Sequence, residues 1–380
     1  MTAVQDITSF DPPRRVLMGP GPSDVHPRVL AAMARPTIGH LDPEFVRMMD
    51  ELKDLLRYAF QTENRVTFPV SGPGSVGMET CFVNLVEPGD KVIVCRNGAF
   101  GGRQLENVER TGGVPVVVDD DWGTPVSLAK LEDSLDANPD AKVVSFVHAE
   151  TSTGVRSDAA EIAALAHAHG ALVIADTVTS LGGIPVLVDA WGLDAVYSGS
   201  QKCLSCTPGL SPVTFSEAAL DKVRARRTKC QSWFMDLNLV LPYWEGGART
   251  YHHTAPINPL YGLHEALLLV VEEGLEAAWQ RHADLHAALV AGLEELGMGL
   301  LVEPEYRLPE LNAVLVPEGV DEARVRAEAL KRYDLELGAG LGALAGKIWR
   351  VGLMGTSCTQ ANVDLCLDVL GTLAAEAAAK

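Results

Sequence analysis

Short hydrophobic runs alternate with amphipathic stretches from about residue 65 to residue 227. The runs are typical of buried strands, and the stretches between them have the spacing of helices. The predicted strands are Val66–Val70, Lys91–Val94, Val114–Val118, Val143–Val147, Leu172–Ala175, Ala195–Tyr197 and Pro212–Phe215. Helices are predicted between them at Gly77–Val86, Leu128–Ala137 and Asp158–His169. Strands that alternate with helices predict an α/β fold of parallel βαβ units, with helices on both faces of the sheet.

The pattern changes after residue 228. Residues 229–259 contain several aromatic residues and two adjacent histidines, but little periodicity. The elements predicted after them are a long helix at Pro259–Leu296 broken near Gly274, a strand at Ala313–Val316, a helix at Glu322–Tyr333, a strand at Lys347–Leu353 and a helix at Gln360–Ala378. We therefore predict an N-terminal arm (1–20), a large domain (21–258), and a linking helix with a smaller α+β domain (259–380).

Composition narrows the class of protein. The chain has 380 residues, 47% of them hydrophobic, a mean hydropathy of +0.10 and a formal net charge of -19. This charge repels nucleic acid and anionic membranes, so neither is expected as a partner. We find no signal peptide or membrane span, and the seven cysteines are irregularly spaced. These features predict a cytoplasmic enzyme with reduced thiols and no metal.

A lysine and an aspartate follow two of the predicted strands. Lys202 ends the segment Ser198-Gly-Ser-Gln-Lys202, directly after the strand Ala195–Tyr197. Asp176 follows the strand that ends at Ala175. Each residue alone also fits a purely structural role, Lys202 as a solvated surface lysine and Asp176 as a residue that caps a turn. Because ligands bind at the carboxyl ends of parallel strands, the pair predicts a site that uses an amine and a carboxylate.

A glycine-rich turn, Ser71-Gly-Pro-Gly74-Ser75, links the first predicted strand to a helix. Its backbone N–H groups and the helix N-terminus favour an anion such as phosphate. It lacks the spacing of a P-loop and of a dinucleotide fingerprint.

Motifs in a characteristic order span nearly the whole chain. They are Gly19-Pro-Gly-Pro-Ser23, Phe60-Gln-Thr62, Ser71-Gly72, Glu87-Pro-Gly-Asp90, Glu150-Thr-Ser-Thr-Gly154, Asp176-Thr-Val178, Ser198-Gly-Ser-Gln-Lys202, Tyr251-His-His-Thr254 and Arg350-Val-Gly352. In these motifs the chain resembles the class V aminotransferases, above all the alanine–glyoxylate and serine–pyruvate (serine–glyoxylate) aminotransferases. The resemblance implies the type I fold of transferases that depend on pyridoxal 5′-phosphate (PLP).

The resemblance also implies roles for individual residues. Lys202 would hold PLP as a Schiff base and move the proton during a ping-pong transamination, and Asp176 would face the pyridinium nitrogen. Arg350 would bind the substrate α-carboxylate. The other cofactor-binding residues that it implies are Gly74, Ser75, Phe100, Ser152, Val178, Gln201, Tyr251 and Thr254. Tyr251 and Thr254 would reach the phosphate of the neighbouring subunit, so a homodimer with shared active sites is expected.

Several alternatives stay open. Relatives that act on ureidoglycine share most of these motifs, but they carry asparagine just before His-His-Thr and glutamine where this chain has His40. Tyr251 and His40 therefore favour alanine or serine as donor and glyoxylate or pyruvate as acceptor. A cysteine desulfurase would need a mobile catalytic cysteine, and the surroundings of Cys358 do not resemble one. A catalytically silent member of the fold, acting as a binding or scaffold protein, would have no need of Lys202, Asp176 and Arg350 together. Cys203 and Cys206 have redox-motif spacing, but no second pair accompanies them.

Overall fold

The computed structural model describes residues 7–245 and 249–378. The strands in the described residues are β1 (Val16–Leu17), β2 (Val66–Ser71), β3 (Lys91–Arg96), β4 (Val114–Asp119), β5 (Val143–Val147), β6 (Ala149–Glu150), β7 (Val155–Arg156), β8 (Leu172–Asp176), β9 (Ala195–Tyr197), β10 (Leu210–Phe215), β11 (Leu311–Leu315), β12 (Leu335–Glu336), β13 (Gly338–Ala339) and β14 (Ile348–Gly352). The helices are α1 (Pro27–Met33), α2 (Pro43–Phe60), α3 (Gly74–Leu85), α4 (Ala99–Arg110), α5 (Leu128–Ala137), α6 (Ala159–Ala168), α7 (Val188–Trp191), α8 (Glu217–Arg224), α9 (Leu237–Trp244), α10 (Ile257–Glu273), α11 (Leu275–Glu295), α12 (Glu322–Tyr333) and α13 (Gln360–Ala378).

One seven-stranded sheet forms the centre of the larger part of the chain. Its strand order is β2-β10-β9-β8-β5-β3-β4, and all seven predicted strands belong to it. The strands are parallel except β10, which is antiparallel to both β2 and β9. Residues 198–209 connect β9 to β10 without a helix. Two neighbouring parallel strands need a crossover connection, which is usually a helix, so β10 pairs antiparallel to β9. The predicted mainly parallel α/β fold is confirmed.

The C-terminal part has its own sheet and its own hydrophobic cluster. The sheet order is β11-β14-β13, with antiparallel pairs, and α12 and α13 pack together beside it. Buried residues of this cluster include Met18, Leu293, Trp349 and Leu370. Met18 comes from the N-terminal arm, and the adjacent β1 pairs with β12. The arm is therefore held against the C-terminal part before the chain reaches α1.

The long linking helix is two helices, as predicted. α10 ends and α11 begins at Gly274, whose φ of +84° favours glycine. The irregular stretch after residue 228 contains a helix that the pattern did not predict. This helix, α9, begins after the capping side chain of Asp236 and contains Pro242, so its periodic signal is short. No helix in the described ranges is long and apolar enough to span a membrane.

Candidate active site

Lys202 and Asp176 lie at the same edge of the central sheet. Asp176 is the last residue of β8, and Lys202 follows β9, the parallel neighbour of β8. Asp176 pairs in register with Tyr197, the last residue of β9. Both side chains are buried, although each is ionisable. The structure therefore brings together the amine and the carboxylate that the sequence predicted as a pair.

The segment Gly19–Ser23, where the N-terminal arm meets the large domain, contacts Lys202. Nζ of Lys202 donates a hydrogen bond to the carbonyl oxygen of Pro20. Gly21 has a φ of +107°, and a Cβ at this position would overlap the lysine side chain. The Ser23 hydroxyl donates to the Lys202 carbonyl oxygen at 2.7 Å. The sequence pointed to this arm by its motif Gly19–Ser23 but assigned no role to Pro20 or Ser23.

Burial and charge shift both ionisable groups toward neutrality. Burial, helped by the charge of Arg350, lowers the pKa of Lys202 to about 8. Burial raises the pKa of Asp176 to about 7. The hydrogen bond that the Val178 N–H donates to the Asp176 carboxylate at 2.8 Å lowers this pKa, but by less than burial raises it. Each of the two charges also stabilises the other. A lysine that can lose its proton near neutral pH is suited to nucleophilic and base chemistry.

The predicted phosphate-binding residues converge beside this pair. Gly74 is the first residue of α3, where a Cβ would lie 3.2 Å from Cγ2 of Val178 and 3.5 Å from the Ser198 carbonyl oxygen. Ser75 follows it and is exposed. Gln201 lies close to Gly199, and its Oε1 is buried with no hydrogen-bond partner in the described part of the chain. A helix N-terminus and a hydroxyl are suitable donors for phosphate, and the Gln201 amide would add its NH₂ group, since the unpartnered Oε1 is an acceptor.

Ser152 and Phe100 are linked by a residue to which the sequence assigned no role. The Ser152 hydroxyl donates to Oε1 of Glu150 at 2.6 Å, and the Phe100 N–H donates to Oε2 at 3.1 Å. Glu150 is fully buried, and burial raises its pKa. The guanidinium of Arg103 lies 4.6 Å from the Phe100 ring centroid, and its charge also lowers the pKa of Lys202. The sequence analysis quoted Glu150 only as part of a motif.

Arg350 reaches from the small sheet toward the same region. It lies in β14, and its Nε donates to the Ala339 carbonyl oxygen at 2.7 Å. Its Nη1 donates to the Thr151 carbonyl oxygen at 3.2 Å. Arg350 forms no ion pair with any residue in the described ranges, and burial lowers its pKa to about 10. A buried guanidinium without a protein carboxylate partner is suited to bind a carboxylate ligand.

Tyr251 and Thr254 are not brought to Lys202 within one chain. Both side chains are exposed, Tyr251 by 59%, and neither is hydrogen-bonded to another described residue. The adjacent His253 contacts the glycine-rich turn, since its Nε2 lies 2.8 Å from Oγ of Ser71. The loop is therefore anchored near the turn by His253, while Tyr251 and Thr254 remain exposed.

The residues around Lys202 fit PLP. Gln201 Oε1 is a buried polar atom that lacks a partner, and the Gly74 backbone leaves space that a side chain would fill. A phosphate would meet α3, Ser75 and Gln201; an aldehyde would meet the Lys202 amine; and a pyridine nitrogen would meet the Asp176 carboxylate.

The cysteines near Lys202 are not activated. Burial raises the pKa of Cys206 to about 11 and also raises the pKa of Cys203. A thiol needs its thiolate form to react or to bind a metal, so both are poorly suited to redox or metal chemistry. Within residues 7–245 and 249–378, no group of three or more His, Cys, Asp or Glu side chains could hold a metal ion.

Comparisons with known proteins identify relatives of this arrangement. The sequence model of the family Aminotransferase class-V matches residues 19–364. The alanine–glyoxylate aminotransferase of Oryctolagus cuniculus is 41% identical over 355 residues, which cover 93% of this chain and 90% of the relative.

Two solved structures superpose on nearly the whole chain. The alanine–glyoxylate aminotransferase of Nostoc sp. has a TM-score of 0.95 and 46% identity, and the match covers 98% of this chain and 99% of that one. The ureidoglycine–glyoxylate aminotransferase of Bacillus subtilis also has a TM-score of 0.95, with 36% identity and coverage of 98% and 95%. These similarities extend beyond the site to the whole fold.

Proposed function

This chain belongs to the class V aminotransferase family, and on that premise we propose that it transfers an amino group from alanine or serine to glyoxylate or pyruvate with PLP as cofactor. The family itself implies PLP. The choice of substrates is supported by the relatives named alanine–glyoxylate aminotransferase, which match nearly the whole chain.

One observation carries the assignment of the site. Lys202 and Asp176 are buried at the ends of adjacent parallel strands, and each influences the charge of the other. Burying an amine and a carboxylate is costly for a protein unless they interact with each other or with a ligand. We propose that the amine binds the cofactor aldehyde and that the carboxylate faces the ring nitrogen.

The remaining roles follow from the surroundings of each residue. PLP, when bound, supplies an electron-withdrawing ring that stabilises negative charge at the substrate Cα. Lys202 Nζ, with a pKa of about 8, would take the proton from the substrate Cα as general base and deliver it to C4′, the former aldehyde carbon of the cofactor, as general acid. The Asp176 carboxylate holds a proton on the ring nitrogen. Arg350 orients the substrate by its α-carboxylate, while its two backbone hydrogen bonds keep the guanidinium in place.

We also propose a homodimer in which Tyr251 and Thr254 complete the neighbouring active site. Tyr251 and Trp233 expose 59% and 63% of their surface in the single chain. Trp233 stacks on His252 with ring centroids 4.6 Å apart, so the exposed aromatic surface is ordered and continuous with the loop. Mixing Lys202→Ala subunits with Thr254→Ala subunits tests this arrangement. Shared sites predict partial recovery of activity in the hybrid, and the absence of recovery would refute sharing.

A donor–acceptor matrix tests the proposed reaction. Alanine, serine and ureidoglycine are each offered to the PLP-loaded protein with glyoxylate or pyruvate, and release of the product keto acid is measured. Alanine or serine with glyoxylate is expected to react fastest. The Lys202→Ala variant serves as the control for non-enzymatic transamination. If no pair is converted, or if the variant is as active as the native protein, the proposal is wrong.

Ureidoglycine is the second candidate donor. The structure of the Bacillus subtilis ureidoglycine–glyoxylate aminotransferase superposes as well as that of the alanine–glyoxylate enzyme of Nostoc sp., although its sequence identity is lower, at 36% against 46%. Preferential conversion of ureidoglycine in the matrix would select this alternative.

A further inference from the structure

Glu150 lies at the centre of a hydrogen-bond network that links Ser152 and Phe100, two of the predicted cofactor-binding residues. Its Oε1 accepts hydrogen bonds from the Ser152 N–H at 3.0 Å and from the Ser152 hydroxyl at 2.6 Å. Its Oε2 accepts from the N–H groups of Phe100 at 3.1 Å and Gly101 at 3.3 Å. The carboxylate therefore joins the turn after β6 to the first turn of α4.

The surrounding backbone leaves space for this carboxylate. Gly98 precedes α4, and a Cβ there would overlap the Glu150 side chain and lie 2.6 Å from Oγ of Ser152. The φ of Gly98 is 177°, an extended conformation open to any residue, so the need for glycine comes from this close approach. Position 98 can thus carry no side chain as long as Glu150 and Ser152 keep their places.

Glu150 also determines what the Ser152 hydroxyl can do. A serine hydroxyl has one proton and two lone pairs. Its proton is directed to Glu150, and one lone pair accepts the Ala99 N–H at 3.0 Å. One lone pair is left, so Ser152 is oriented to accept a hydrogen bond from a ligand. Without the carboxylate the hydroxyl is free to rotate.

We propose that Glu150 is a positioning residue for the cofactor, because one of its carboxylate oxygens fixes the Ser152 hydroxyl and the other fixes the first turn of α4, which carries Phe100. This inference rests on the proposed function and on the cofactor-binding roles that the family resemblance implies for Ser152 and Phe100. The carboxylate acts through these two residues.

The substitution Glu150→Gln tests the proposal. An amide keeps the size of the side chain, but its oxygen can serve only one set of donors, so its NH₂ group must face the N–H groups of the other set. PLP affinity is measured by titrating the cofactor-free protein, and the circular dichroism of the bound cofactor reports the orientation of its ring. We expect affinity to fall by about tenfold and the dichroism to change. Glu161→Gln, at an exposed position on α6, is the matched control and is expected to bind like the native protein.

A double-mutant cycle with Ser152→Ala separates positioning from general stabilisation. If Glu150 acts in part through the Ser152 hydroxyl, Glu150→Gln weakens PLP binding by a smaller factor when that hydroxyl is already absent. Equal factors in both backgrounds, with unchanged dichroism, would indicate a purely structural role and overturn the proposal.

A second variant covers the case in which Glu150→Gln does not fold. Glu150→Asp keeps the charge but is one methylene shorter, so it cannot reach both sets of donors. It is expected to fold, as judged by the thermal midpoint of the cofactor-free protein, and to lose affinity for PLP. Affinity equal to that of the native protein in this variant would overturn the proposal. If the native protein itself binds no PLP, the proposed function is wrong. If the native protein binds PLP and the Glu150 variants bind it equally well, only the positioning role of Glu150 is wrong. The two failures are therefore distinguishable.

Discussion

The rings of His40 and Tyr251 lie against each other, with centroids 5.3 Å apart and planes inclined by 56°. His40 and Tyr251 are the two positions on which the sequence-based distinction from relatives that act on ureidoglycine rests. Because they are in contact, a substitution at one changes the surroundings of the other, and their effects are not expected to be additive.

The double substitution His40→Gln with Tyr251→Asn is therefore expected to change the donor preference. Two amides replace two aromatic rings, so polar groups become available for the ureido group of the donor. We expect the ratio of kcat/KM for ureidoglycine to that for alanine to rise by about tenfold or more. Steady-state kinetics with glyoxylate as acceptor provides the measurement, with each single variant as control. If the double variant prefers alanine as strongly as the native protein does, these two residues do not determine the donor preference.

The Lys202 amine should become reactive at a pH well below that at which an ordinary lysine becomes reactive. Its pKa of about 8, lowered first by burial and then by the charge of Arg350, predicts that the free amine predominates above pH 8. Trinitrophenylation of the cofactor-free protein, followed by peptide mapping, measures this directly. The rate at Lys202 should rise with pH around 8, and the exposed Lys229 serves as the internal reference for labelling. Removing the charge with Arg350→Gln should move the Lys202 profile upward, and identical profiles would contradict the coupling.

Arg350→Lys should weaken substrate binding more than it slows the reaction. An ammonium group cannot reproduce the two backbone hydrogen bonds and also offer a planar pair of donors to a carboxylate. We expect kcat/KM for alanine to fall by about 10- to 100-fold, mostly through KM. The affinity for PLP, titrated separately, should stay near the native value. A variant that changes kcat alone would assign Arg350 a different role.

Glu310 should make the folded protein less stable as the pH rises. It is fully buried, both carboxylate oxygens lack partners in the described chain, and burial raises its pKa from 4.5 to about 8. The folded state therefore keeps a proton that the unfolded chain releases above about pH 4.5. The contribution of this proton to stability is complete below that pH and is lost as the pH rises through 8.

Glu310→Gln removes this titration. The thermal midpoint of the variant relative to the native protein should increase from pH 5 to about pH 8 and level off above it, by an amount that reflects about 1.4 kcal/mol per unit of pKa shift. Differential scanning calorimetry measures the midpoints. Glu303→Gln, at an exposed position nearby, is the control and should follow the native pH dependence. Parallel curves for Glu310→Gln and the native protein would mean that Glu310 is not neutral in the folded state.

The sequence by itself determined the strands of the central sheet, the break at Gly274 and the pairing of Lys202 with Asp176. These features are local: a buried strand needs consecutive apolar residues, and a residue that ends a parallel strand lies at the sheet edge wherever the sheet packs. The order of motifs along the chain added the family. The sequence did not predict the short helix α9, because its pattern of apolar and polar positions spans too few residues.

Only the tertiary structure decided which distant groups share hydrogen bonds and charge. The antiparallel direction of β10, the Pro20 carbonyl beside the Lys202 amine, and the contact between His40 and Tyr251 all join segments far apart in the chain. Glu150 belongs to this class, since its four donors come from two segments that are adjacent only after folding. A pattern of hydrophobic and polar residues records which faces are buried, but a hydrogen bond depends on distance and angle, and these exist only once the chain is packed.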